Sequence, residues 1–182
     1  MNLAGQTASG PSERRAAEPF FSPGGMLVGS DDRGVNRHQP TNVARRVSPK
    51  GEPLALLEPV DGGKFRLEPG PGTIKGKKYE DALTVDWCSS DGFTEYNLGS
   101  SWKRMTASIG LDDTSSDWPM TVNILADGKA RASVQAVTGT ARPVDIDVKG
   151  ITRLRIEYKI TGGSCDFDNP PLLVIGTPLL AR

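Results

Sequence analysis

From about Ile74 onward the chain breaks into short stretches of alternating apolar and polar residues, separated by Gly, Asp, Ser and Pro clusters roughly every ten residues. That rhythm belongs to a sandwich or barrel of half-buried antiparallel strands. In Lys103–Leu111, the apolar set Met105, Ala107, Ile109 and Leu111 shares one side, with Arg104, Thr106 and Ser108 on the other. Val144–Lys149 and Leu154–Ile160 alternate in the same way, and Gly150 supplies the turn between them. Ala126-Asp127-Gly128-Lys129 is a hairpin signal, because Asp-Gly tolerates the positive φ angles of a tight turn. No stretch reads as a capped helix. Each inward side chain stabilises by about 1.5–3 kcal/mol when fully buried, so a dozen such positions suffice for a core of one domain.

Residues 1–70 lack this rhythm and read as an irregular N-terminal extension. One local exception is 54–67, where Asp61-Gly62-Gly63 between apolar residues suggests a small hairpin. Pro69-Gly70-Pro71-Gly72 reads as a hinge, since proline fixes φ and glycine frees it, so the domain is expected to span 71–182.

Composition removes several classes of function. Basic and acidic residues balance at 22 each over the 182 residues, which leaves no overall field to attract nucleic acid or anionic lipid. The first fifty residues carry a mild basic excess of the kind a solvated coil shows. No apolar stretch of signal-peptide character follows Met1, and the longest apolar runs fall far short of the roughly 20 residues that cross a bilayer. The one histidine, His38, lies in the unpatterned extension, and no Gly-x-Ser-x-Gly elbow accompanies it. The lysine-rich stretch after Gly70 has the wrong glycine spacing for a phosphate loop. Asp112 or Asp113 acting in a hydrolase is a remote reading, because acids at turns and on outward strand positions are explained without chemistry. The expectation is therefore no catalysis.

Two cysteines, Cys88 and Cys165, allow one disulfide or two separate thiols, and exclude a four-cysteine zinc site. Loop acids at Asp112, Asp113, Asp117, Asp166 and Asp168, with Asn169, are ligand types that calcium takes, although they lack EF-hand spacing. Calcium at Asp166 and Asp168 stays open beside the simpler reading of solvated loop acids.

Tyr96-Asn97-Leu98-Gly99, Trp102–Met105, Ile109–Asp113, Ala126–Lys129 and Val144–Ile156 follow one another in an order that resembles the NPCBM family of carbohydrate-binding modules. The likeness runs from about Ile74 to Leu180 and closes with Asp168-Asn169-Pro170-Pro171-Leu172. It implies a galactose-binding-like jelly-roll β-sandwich, a glycan ligand such as a terminal galactoside, a glycoside hydrolase as companion and an extracellular setting. The stretch Gly162–Asp168 lacks the His and Trp common in the family there.

Sugar recognition needs an aromatic face for the C–H side of a pyranose and fixed polar groups for its hydroxyls. Trp118, held by Pro119, is either that face or the start of a core face shared with Met120, Val122 and Ile124. Trp102 is a second candidate ring, although it lies off the apolar parity of its strand, which favours core or rim, and Trp87 reads as core. Asn97, Arg104, Asp112 and Asp113 are the polar candidates, expected to meet at one end of the sandwich. A sandwich that binds protein instead of sugar is the alternative.

Overall fold

The computed structural model describes residues 51–86, 88, 91–162 and 167–182. The expectations for the 1–50 extension, Trp87, Cys165 and Asp166 lie outside these residues.

Two antiparallel sheets pack face to face. The first contains β1 (Glu52–Pro53), β3 (Glu68–Ile74), β4 (Lys77–Asp86), β6 (Arg104–Leu111), β9 (Arg142–Asp147) and β11 (Leu172–Ala181). Its order is β3-β4-β11-β6-β9, with β1 also on β11. The second holds β2 (Pro59–Gly62), β5 (Asp91–Asn97), β7 (Met120–Ala126), β8 (Lys129–Ala136) and β10 (Arg153–Ile160), in the order β2-β5-β10-β7-β8. The alternation read from the sequence is the alternation of burial. Met105, Ile109 and Leu111 of β6 meet Val122 and Ile124 of β7 and Leu154 and Ile156 of β10 in one core. The β7–β8 hairpin turns on Asp127 and Gly128, at φ 44° and 75°, as the Asp-Gly signal requires.

The stretch expected to be a hinge is a strand. Pro69, Gly70 and Gly72 belong to β3, paired with Leu83, Ala82 and Tyr79 of β4, with a register shift between Gly70 and Gly72. β3 is an edge strand, where a residue without an N–H costs no second ladder. The sandwich thus begins well before residue 71. The hairpin expected over 54–67 does not form either: Leu54–Leu56 is a 3-10 turn and β2 pairs with β5.

β4 pairs with β11 only over Leu83–Asp86, and β1 takes its place further along, opposite Leu179 and Leu180. The free half of β4 folds with β3 over the outer face of β11 and β6, making a second apolar cluster of Ile74, Tyr79, Ala82 and Val174. Glycines permit the approach. A Cβ on Gly176 would stand 2.4 Å from the Tyr79 ring, one on Gly110 2.6 Å from Ile74, and one on Gly72 2.6 Å from Val174.

Two aspartates latch the hairpin tip. The Asp113 carboxylate accepts the N–H groups of Lys75 (2.8 Å) and Gly76 (2.6 Å), the positive-φ turn residues. Asp112, 6% exposed, accepts the Thr73 N–H (2.6 Å) on one oxygen and the Thr114 N–H (2.9 Å) and hydroxyl (2.6 Å) on the other. Burial pushes the Asp112 carboxyl upward, but these hydrogen bonds outweigh it and hold it below the ordinary carboxylate range. On the second sheet, burial pushes the Tyr158 phenol up to about 12, and it donates to the Phe65 carbonyl at 2.5 Å across Gly92.

Gly176→Ala is expected to cost about 1–3 kcal/mol by overpacking against Tyr79, read as a lower urea midpoint at unchanged slope. Asp112 predicts acid sensitivity. A carboxyl depressed in the folded state stabilises fully above its unfolded value of about 3.9, and that contribution is lost as pH falls through the folded value. Stability measured from pH 6 to pH 2 should fall less steeply below about pH 4 in Asp112→Asn than in the wild type.

Candidate functional site

The strands carry the sequence-derived candidates to opposite ends of the sandwich. Arg104 opens β6 and Asp112 follows its last residue, eight steps at roughly 3.3 Å or some 26 Å of strand apart. Asn97 ends β5 opposite Arg153, at the Arg104 end, whereas Trp118 precedes Met120, which pairs with Ile160 at the Asp112 end. The six residues therefore form two groups, Asn97, Trp102 and Arg104 against Asp112, Asp113 and Trp118. A strand between two loops separates them, which adjacency in sequence hides.

The Asn97 end is closed by its own hydrogen bonds. Leu98 N–H donates to Thr152 O (2.8 Å), Ser100 N–H to Ile151 O (3.0 Å), and Val148 N–H to Lys103 O (2.8 Å). The Asn97 side chain accepts the Gly99 N–H (3.0 Å), and the Asp127 carboxylate accepts the Arg153 N–H (2.8 Å). Arg104 pairs with Asp145, and its guanidinium holds that carboxyl below the usual range. Trp102 is 6% exposed, with the Arg182 guanidinium 4.7 Å from its ring centre. It is a core residue and offers no open ring face, so it is not the sugar-facing ring that the sequence also allowed.

The other end keeps surface and polar groups in reserve. It is built from the β6–β7 loop, the β8–β9 loop, the segments around β10 and β11, and the β3–β4 tip. Ser116 Oγ and Thr138 Oγ1 are buried and find no hydrogen-bond partner among the described residues. Trp118 is half-buried in its loop. Its neighbour Pro119 is fixed from behind, since its carbonyl accepts both the N–H (2.9 Å) and the hydroxyl (3.0 Å) of Thr161. Ser115 donates from backbone (3.1 Å) and hydroxyl (2.9 Å) to Asp112 O. Asp112 and Asp113 thus do not present free carboxylates to a ligand. They hold the base of the loop that carries Trp118.

Sequence reasoning missed two aromatic rings at this end. Phe167, in the segment leading into β11, is 79% exposed, a large apolar surface left in water. Phe65 is half-buried and lines a cleft of about 380 Å³ with Arg66, Thr84, Asp86 and Leu172, in the size range of small-molecule sites (roughly 300–1,000 Å³). Asp86 pairs with Leu172, whose carbonyl accepts the Asp112 N–H (2.9 Å), so cleft and Trp118 loop share one end. The usable signal was an aromatic residue in a loop without a periodic partner, as Phe167 is between two aspartates.

Cys88, beside this end, is disulfide-bonded, and the chain's other cysteine, Cys165, lies outside the described residues. Asp168 is exposed. Among the described residues no three His, Cys, Asp or Glu side chains gather to hold a metal ion, and no helix is long and apolar enough to cross a membrane.

Solved structures share this architecture. The M60 catalytic domain with the CBM51-1 and CBM51-2 domains from Clostridium perfringens ZmpB matches with a TM-score of 0.57 at 20% identity, over 72% of this chain and 15% of that one. The CBM51 from Clostridium perfringens GH95 in complex with methyl-galactose matches with a TM-score of 0.57 at 13% identity, over 72% of this chain and 99% of that one. CBM51-2 of ZmpB with its INT domains, in complex with GlcNAc, matches with a TM-score of 0.57 at 10% identity, over 72% and 32% of the two chains. At these identities the likeness is one of fold. No curated protein sequence matches. A family model described as NPCBM/NEW2 domain matches residues 38–170, and the chain belongs to that family.

Proposed function

We propose that the protein is a carbohydrate-binding module whose site is the end of the sandwich carrying Trp118 and Phe167, and that it takes the terminal sugar of a glycan. The observation that carries this reading is the distribution of aromatic surface. The described tyrosines and Trp102 are buried and the half-buried Phe93 ring is covered by the Arg155 guanidinium at 3.6 Å, whereas the exposed Phe167 and the half-buried Trp118 and Phe65 gather at the same end. A pyranose offers C–H groups to such rings and hydroxyls to polar groups of the surrounding loops.

The relatives support the sugar class. One solved structure of this fold holds methyl-galactose and another GlcNAc. A galactoside is the first ligand to test. One module of this fold comes from a GH95 protein and others stand beside an M60 catalytic domain, which supports a role as accessory to an enzyme such as a glycoside hydrolase, with binding here and bond cleavage elsewhere. The Cys88 disulfide suits an oxidising, extracellular setting.

Calorimetric titration with a methyl galactoside and with N-acetylglucosamine tests this. Trp118→Ala and Phe167→Ala should each weaken binding about tenfold, the worth of one stacked ring, while Arg104→Ala at the far end leaves it unchanged. A folded sample silent on a broad glycan array would favour the protein-binding sandwich.

A further inference from the structure

On the outer face of the first sheet lies a cleft of about 210 Å³ that none of the residues assigned to the Trp118 site lines. It opens where β4 parts from β11 beyond Leu83 and the β3–β4 hairpin lifts over β6. Its wall is irregular. The pairing of β11 with β6 slips between Gly176 and Leu179, and Thr177 within the bulge has φ 46°. A β-branched side chain in the left-handed region is strained, and bulges of this kind re-aim side chains beside binding sites.

The groups turned to this cleft form a consistent set. Lys77 is exposed, with its ammonium 4.7 Å from the centre of the Tyr79 ring and no carboxylate within ion-pair distance among the described residues. Neighbouring charges are committed: Lys78 to Glu80 at 2.8 Å and Arg104 to Asp145. Three hydroxyl-bearing residues, Thr106 and Ser108 on the outward positions of β6 and Thr177 on the bulge, line the same cleft. One uncommitted cation beside three hydroxyls matches a small molecule with one carboxylate and several hydroxyls.

We infer that this cleft is a second site, for a carboxylated sugar residue such as a uronate. Lys77 meets the carboxylate, and Thr106, Ser108 and Thr177 meet the ring hydroxyls. The inference rests on the glycan-binding reading and extends it: one face for an acidic residue, one end for a neutral terminal sugar. Thr177→Gly removes both the strained left-handed backbone and the hydroxyl, so it should raise stability while weakening uronate binding.

Amide chemical-shift titrations of the full chain with sodium glucuronate, a methyl galactoside and sodium acetate separate the outcomes. Glucuronate should shift the amides of Lys77, Thr106, Ser108 and Thr177, and Lys77→Gln should weaken it about tenfold, the loss of one charge-assisted contact. Trp118→Ala should leave this response intact. Glucuronate without effect on these amides would overturn the inference, as would acetate acting with the same affinity, which marks a bare anion contact. The galactoside response near Trp118 reports separately on the first site.

Discussion

Everything in this molecule depends on two sheets hiding their inner faces against each other. Alternation along each strand assigns every second residue to that shared core, and the remainder faces water. Loops then gather at two ends, because each strand carries the chain from one end to the other. The ends have different chemistries. One spends its polar groups on itself and covers its tryptophan with Arg182. The other leaves rings in contact with water and two buried hydroxyls unspent among the described residues.

That second end is open without being loose. Asp112 and Asp113 convert the β3–β4 tip and the start of the Trp118 loop into one hydrogen-bonded block, and Thr161 fixes Pro119 from the side of β10. A ring held by backbone on both flanks loses little freedom on binding, which favours recognition of a small, weakly held ligand such as one sugar. The same hairpin shapes the outer-face cleft, since its lift from β11 creates the space that Lys77 and Thr177 border. Glycines at 72, 110 and 176 make that packing possible by removing side chains that would meet Val174, Ile74 and Tyr79.

Much of the fold was legible because it rests on period two. β6, β9, β10 and the Asp127-Gly128 hairpin stand where alternation and turn chemistry put them, and the family resemblance holds. The hinge at Pro69–Gly72 was misread because proline and glycine break a central strand, whereas β3 is an edge strand whose glycine is needed for contact with Val174. Less of the site was legible. Trp118 fell at the open end, but Asn97, Trp102 and Arg104 fell at the closed one, and no local pattern tells which end a loop reaches. Asp112 and Asp113 look like ligand-binding acids in sequence, and only their four backbone donors, at Thr73, Lys75, Gly76 and Thr114, reveal a structural task. Phe167 gave no periodic signal, since an exposed loop aromatic belongs to no face.

The central claim is that glycan binds at the Trp118 and Phe167 end. A crystal structure of the protein soaked with a methyl galactoside tests it most directly. The account requires the pyranose ring against Trp118 or Phe167, with its hydroxyls toward the loops of that end. A sugar seated instead beside Asn97 and Arg104, with the Trp118 end empty, would contradict it.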